Sequence, residues 1–281
     1  MIKRFFWTLF LFTFTDFKTI VFPVTFFACV AAPVGSAKGF IYAVFWTWLH
    51  LLQVNVSNQY KSLAEDALNH PWRPIPSGRI SQNNATYLRW LLVPLCTFTS
   101  IPYGWRVICA TFILTTALIV YDEYGLSGHW IGKNVINAIG YASFELGATT
   151  IMGDRSQLDE IALKSLLCSV SLVLTTIHAQ DFSDAEGDSA LGRSTFPIYA
   201  PNISRIYTLL ALIIWSYVLG QLWNLGIYSR FSLGTLGLLV GWRFYRLRSA
   251  WDDKNTFICY NLWLLFVHLL PAHHRWAIFR Y

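Results

Sequence analysis

Two stretches of this chain gather oxygen-bearing side chains at helical spacing within otherwise apolar sequence. The first runs from Asn58 to Ile80, NQYKSLAEDALNHPWRPIPSGRI. If a helix continues to Asp66, then Asn58, Ser62 and Asp66 fall at i, i+4 and i+8 on one face, with Glu65 beside them. Pro71, Pro74 and Pro76 stop that helix, and Ser77-Gly78 turns the chain back. The second stretch, QDFSDAEGD from Gln180 to Asp188, puts Asp181, Asp184 and Asp188 on one helical face. Amide and carboxylate oxygens are the ligands a hard cation such as Mg²⁺ prefers, and Mg²⁺ keeps waters and bridges to phosphate oxygens. Asn58, Glu65, Asp66, Asp181, Asp184 and Asp188 are therefore the candidate metal ligands, with Asn58, Asp66, Asp181 and Asp184 nearest the chemistry. Arg73, Arg79, Lys133 and Arg193 are cations suited to a diphosphate.

Composition says what kind of elements must carry these side chains. Of 281 residues, 55% are hydrophobic and 13% charged, whereas a soluble domain carries about 25% charged residues. The deficit predicts an all-α membrane protein. A net charge of +6 would suggest nucleic acid in a soluble chain. Here the basic residues sit mostly between apolar runs, which fits anchoring to membrane lipid, and no nucleic-acid partner is expected. Cys29, Cys96, Cys109, Cys168 and Cys259 are scattered without a CxxC pair, so neither a disulfide framework nor a zinc site is indicated. The opening MIKRFFWTLFLF lacks a small-residue cleavage site, and Asp16 and Lys18 interrupt it. It is expected to be an interfacial helix leading into the first span.

Apolar stretches long enough to cross a bilayer occur at roughly 19–35, 40–58, 84–101, 104–121, 133–152, 160–178, 204–224, 231–249 and 256–272. No low-complexity segment or linker divides them, so residues 1–281 are expected to form one integral membrane domain with nine transmembrane helices. The first acidic stretch follows span two and the second follows span six, so parity puts both on one side. The loop after span four, with Asp122, Glu123, His129 and Lys133, joins them there. Lys3, Arg4, Lys18, Lys61, Arg73, Arg79, Lys133, Arg193, Arg205, Arg243, Arg246, Arg248 and Lys254 lie on that side. The opposite side has about half as many basic residues, among them Lys38, Arg106, Arg155 and Arg230, so the motif loops are expected to face the cytosol. Endoplasmic reticulum or another internal membrane is the expected location. Each acidic stretch ends a span and precedes a basic, Pro-containing segment (WRPIPSGR; LGRSTFP), which suggests an internal repeat.

A polar mouth over an apolar, aromatic-rich interior describes an isoprenyl diphosphate as substrate. The mouth would hold the diphosphate, while aromatic faces below would stabilise an allylic cation. Asp122, Lys133, Asn134 and Tyr141 are further candidates for positioning substrate. Glu145 sits mid-span in YASFELGATT, where a carboxyl is costly; it serves either an interhelical hydrogen bond or the site itself. His178 is expected to pack rather than to act as a base.

The motifs NxxxSxxED, NHPWRPIPSGRIS and QDFSDAEGDSALGRSTFP resemble those of the UbiA-type intramembrane prenyltransferase superfamily across essentially the whole chain. That resemblance implies a nine-helix fold and Mg²⁺-dependent ionisation of farnesyl or geranylgeranyl diphosphate. The family's usual first motif is NDxxDxxxD. This chain has Gln59 and Ser62 where that motif has its first two acids, and keeps Asn58 and Asp66. Members that cyclise the prenyl chain, rather than transfer it to an acceptor, are similar in this respect. The resemblance thus implies a sesqui- or diterpene cyclase, with prenyl transfer to an aromatic or other acceptor as the alternative.

Overall fold

The computed structural model describes residues 2–33, 35–63, 66–67, 70–153 and 157–279. Glu65 and Arg155 lie outside the described residues. Every regular element among them is helical, save one isolated parallel bridge between His129 and Ser194. The chain divides into two compact units, Met1–Tyr124 with Ser143–Gln157, and Gly125–Ala142 with Leu158–Tyr281. Each unit carries one acidic motif.

The first unit begins with α1 (Ile2–Thr13), a 3-10 turn (Phe14–Asp16), a π-turn (Phe17–Val21) and α2 (Phe22–Ala31). The α-helix gives way to other turns at Phe14–Val21, between the expected interfacial helix and the span expected from roughly residue 19, and Lys3–Ala31 as a whole is long and apolar enough to cross a membrane. Asp16, one of the two polar residues at that point, finds partners. Asp16 Oδ2 accepts hydrogen bonds from Asn55 Nδ2 at 2.8 Å and from Thr15 at 3.1 Å, exactly where the helix changes pitch. A carboxylate with local donors does not need to leave an apolar run.

Helix α3 (Ala37–Lys61) starts at Ser36, whose hydroxyl accepts from Gly39 N at 2.9 Å. Helix α4 (Gln82–Ser100) is capped in the same way by Ser81, and Gly104, at φ +91°, permits the tight turn into α5 (Trp105–Glu123). Helix α6 (Trp130–Met152) begins in the second unit and ends in the first. The first unit's core packs Trp46, Val107, Leu114, Phe144 and Ile151. Gly147 is required there, because a Cβ would stand 2.2 Å from the Trp46 ring.

The second unit contains α7 (Glu160–Thr176), α8 (Ala185–Ala190), α9 (Phe196–Tyr199), α10 (Pro201–Leu222), α11 (Ile227–Arg246), α12 (Ala250–Leu269) and α13 (Pro271–Trp276). Its buried aromatics keep their polar ends satisfied across helices. Tyr260 shares a hydrogen bond with Thr176 at 2.8 Å, and Trp263 Nε1 donates to Ser216 at 3.0 Å. Arg205 forms a bidentate pair with buried Asp253, tying α10 to α12. Leu167, Ile214, Tyr217, Phe231 and Leu262 project outward, large apolar side chains that water would not favour. By length and composition, Lys3–Ala31, Trp105–Glu123, Glu160–Asp181, Pro201–Leu222 and Ala250–Trp276 can cross a membrane.

Candidate active site

In the first unit the motif is built on the last turns of α3. Backbone bonds run from Ser62 N to Asn58 O at 3.0 Å and from Asp66 N to Ser62 O at 2.9 Å, so the expected i, i+4, i+8 relation holds. The helix itself closes at Lys61, with Ser62 just beyond it. Its hydroxyl donates back to Asn58 O at 2.9 Å, the usual local bond of a serine in a helix. Asp66 is buried and receives Arg73 Nη1 at 2.5 Å. The proline-rich turn makes that pairing possible by bringing Arg73 back over the helix end, with Gly78 in the left-handed region at φ +68°. Arg79 is exposed at the far side of the turn. Asn58 Oδ1 is buried and has no donor among the described residues.

Gln59 has a different role. Its side chain is 3% exposed, and Nε2 donates at 3.0 Å to Phe12 O, which also receives Asn55 Nδ2 at 2.9 Å. The change of pitch after α1 leaves that carbonyl in need of donors, and α3 supplies both. A carboxylate at position 59 could not donate this bond.

The second motif differs from the single helical face expected of it. Ile177–Asp181 is a 3-10 segment, a turn follows, and α8 begins only at Ala185. Tighter 3-10 geometry rotates Asp181 away from the register an α-helix would set. Asp181 and Asp188 are nevertheless brought together by one lysine: Lys133 Nζ lies 2.7 Å from Asp181 Oδ1 and 3.4 Å from Asp188 Oδ2. Arg193 Nη1 holds the other Asp188 oxygen at 2.7 Å. Both aspartates are buried, while Asp184 is exposed at the start of α8 and accepts from the Ser183 hydroxyl at 3.1 Å.

Two loops deliver Lys133 to this cluster. Ser194 N donates to Gly128 O at 2.8 Å beside the His129–Ser194 bridge, and Trp130 stacks on Phe196 and Tyr199. Gly125 and Gly192, at φ +64° and +71°, allow the two turns. Asn134, next to Lys133, is buried, and its Oδ1, like Asp181 Oδ2, has no donor among the described residues. Tyr141 and Glu145 are one turn apart on α6; both are buried, and Glu145 is fully so. His178 packs as expected, bonded to Thr208 at 2.8 Å and surrounded by Phe182, Phe196 and Tyr207.

Asp122 belongs to a network that sequence reasoning missed. It accepts from the Ser57 hydroxyl, and buried Arg89 donates from Nε to Ser57 Oγ at 2.7 Å and from Nη2 to Glu123 Oε1 at 2.8 Å. Arg89 was visible as a lone charge inside the apolar run ATYLRWLLVPLC, a placement that marks a functional or paired group.

These features meet in one family. Residues 20–268 match the model of the UbiA prenyltransferase family, and the chain belongs to that family. It is an integral membrane protein. It is 31% identical, over 95% of its length and 92% of the relative's, to the fumagillin beta-trans-bergamotene synthase af520 of Aspergillus fumigatus. It is 30% identical to the diterpene cyclase eriG of Hericium erinaceus, covering 89% of this chain and 82% of that one. Among solved structures, a UbiA homologue from Archaeoglobus fulgidus bound to GPP and Mg²⁺ superposes with a TM-score of 0.66 at 14% identity, covering 94% of this chain and 99% of that one.

The residues present fit a Mg²⁺ ion of the kind that leans on its substrate. Each unit offers a buried acceptor without a donor among the described residues, Asn58 Oδ1 in the first and Asp181 Oδ2 in the second, and the motif side chains of each present oxygen. Among the described residues, no three His, Cys, Asp or Glu side chains gather closely enough to hold a metal alone.

Proposed function

We propose that this protein ionises an allylic isoprenyl diphosphate within the membrane and closes the resulting cation on its own chain, as a terpene cyclase. One observation carries the reading: Lys133 and Arg193 hold Asp181 and Asp188 in a buried charged cluster beside a donor-free Asp181 oxygen. Buried carboxylates and cations in a membrane protein are expensive unless the site uses them. The similarity to two named cyclases over most of the chain supports the cyclising branch.

In this reading Asn58, Asp66, Asp181, Asp184 and Asp188 would hold Mg²⁺, and Arg73, Arg79, Lys133, Asn134 and Arg193 would bind the diphosphate. Bound Mg²⁺ would supply positive charge against the diphosphate oxygens. Lys133 and Arg193 would then release their carboxylates in part and turn toward the leaving group, stabilising it as the C–O bond breaks and the electron pair departs with oxygen. Tyr141 and other aromatic faces would shield the allylic cation from water. A double bond of the same chain attacks it, and a carboxylate takes the final proton. Nine spans in a single domain, motif loops facing the cytosol and an internal membrane complete the proposal, supported by the excess of basic residues on the motif side.

The test is incubation of membranes carrying the protein with farnesyl or geranylgeranyl diphosphate and Mg²⁺, without acceptor, followed by hexane extraction. A cyclic hydrocarbon is expected. Consumption of substrate only after an aromatic acceptor is added would replace the cyclase with the prenyltransferase that the family's name also accommodates.

A further inference from the structure

The last turns of α3 are clamped from two sides. On one face Asn55 and Gln59 donate to Phe12 O, fixing α3 to the N-terminal run. On another, Ser57 and Lys61, one turn apart, are held by residues of α4 and α5. Ser57 is fully buried, donates to Asp122, and accepts from Arg89 Nε at 2.7 Å. Lys61 Nζ meets Glu123 Oε2 at 2.8 Å, and the other Glu123 oxygen receives Arg89 Nη2 at 2.8 Å. At about 100° per residue, position 58 falls between the 55/59 and 57/61 faces. Asn58 is thus carried on the edge that both clamps leave uncovered, with its buried Oδ1 lacking a donor among the described residues.

Helix–helix packing alone does not call for this arrangement. Arg89 is 6% exposed, and burying a guanidinium costs more than an apolar residue of similar volume would. The side chain spends its donors on Ser57 and Glu123, and through Glu123 it reaches Lys61. Both ends of that linkage grip α3 at the turn that bears Asn58. Further along the same helices, His50, Thr111, Ser100 and Trp46 form a separate neutral hydrogen-bonded chain that ties α3 to α4 and α5 without a charge. Packing of the three helices is therefore already secured where no ligand oxygen is at stake.

The geometry points to Arg89 as a positioning residue: through Ser57 and Glu123 it fixes the rotation of the α3 terminus and so the direction of the Asn58 oxygen. This deepens the proposed function and rests on it, since Asn58 matters only if it handles the ion or the diphosphate. An error of about 1 Å at such a group is enough to cost on the order of a hundredfold in rate.

Three variants test the assignment in the full-length protein, with Mg²⁺-dependent pyrophosphate release from farnesyl and geranylgeranyl diphosphate as the readout. Ser57→Ala removes the hydrogen bonds of Arg89 and Asp122 to α3 while leaving the Arg89–Glu123 pair and the Arg89 guanidinium over the Tyr60 ring. Ser100→Ala removes hydrogen bonds of the neutral chain and controls for a general loosening of the helices. Arg89→Lys keeps the charge but not the fork. Ser57→Ala and Arg89→Lys are expected to lower kcat by about tenfold or more and to raise the Mg²⁺ concentration giving half-maximal rate, with KM for the diphosphate little changed. Ser100→Ala should lower the thermal midpoint while leaving kcat and the Mg²⁺ requirement intact. If Ser57→Ala behaves like Ser100→Ala, losing stability only, the assignment falls. Silence of the unaltered protein with both diphosphates would instead strike the proposed function.

Discussion

The two acidic motifs solve the same problem with unequal means. The second buries two aspartates and holds both on Lys133, with Arg193 on the outer oxygen of Asp188. The first keeps one described carboxylate, Asp66, paired with Arg73, and pairs it in sequence with an amide, Asn58. Its other motif positions have turned inward to the backbone. Gln59 donates to Phe12 O and Ser62 to Asn58 O. The contrast teaches that a motif can lose acids without losing structure, because amide and hydroxyl groups at those positions can meet backbone needs that a carboxylate cannot.

If the second motif carries most of the negative charge, removing it should cost the most. Asp181→Ala is expected to lower pyrophosphate release by about 10³-fold or more, on the scale of losing a principal electrostatic group. Asp66→Ala should also lower the rate severely, though by less; wild-type rates in either variant would remove that residue from the metal site. A greater residual rate in Asp66→Ala than in Asp181→Ala would sharpen the asymmetry, and the reverse order would break it.

Lys133→Met probes the second motif without relying on activity. Removing the lysine leaves Asp181 and Asp188 facing one another in a buried site, and breaking a buried pair costs about 3–5 kcal/mol. The thermal midpoint without metal should fall. Adding Mg²⁺ should then raise it by more than in the unaltered protein, because the ion replaces the lost charge. An equal Mg²⁺ response in both proteins would argue that these aspartates do not bind the ion.

Gln59→Glu tests the structural use of the first motif. The ionised carboxylate would lose the donor to Phe12 O and face that carbonyl instead, a change worth about 1–3 kcal/mol of stability. Restored acidity should therefore destabilise the protein rather than strengthen metal binding. A lower Mg²⁺ requirement with unchanged stability would mean that position 59 is available to the site after all.

The smallest effect is expected away from both motifs. At the N-terminus of α7, the two hydrogen bonds from Arg275 hold the Asp159 carboxyl below the usual carboxylate range, aided by Ala162 N. A lowered folded-state pKa contributes stability above the unfolded value, and that contribution is lost as pH falls through the folded value. Asp159→Asn should lower stability at neutral pH by less than about 1 kcal/mol, since the pair is partly exposed. The difference from the unaltered protein should vanish in acid, as followed by thermal midpoints across pH.

Much of the architecture could be read before any coordinates. The long apolar runs became α3 to α7, α10 and α11 within a few residues of their expected ends, and α12 starting six residues early, because long helices are marked by length and hydropathy and several of their ends by Ser or Asp caps. In the N-terminal run Asp16 stands where the helix changes pitch, but its partner Asn55 lies far along the chain and no local signal announces it. The single face assigned to Asp181, Asp184 and Asp188 failed because a 3-10 turn followed by an irregular one changes the register, and spacing alone carries no sign of that.

The sequence by itself determined an oily helical chain with two clusters of oxygen ligands and the basic residues to accompany them, since hydropathy and residue chemistry are local properties. Only the tertiary structure decided which cation meets which acid: Lys133 with Asp181 and Asp188, Arg73 with Asp66, Arg89 with the end of α3. Those pairings join residues distant in the chain, and their geometry depends on helix rotation and turn shape, which no single stretch of sequence specifies.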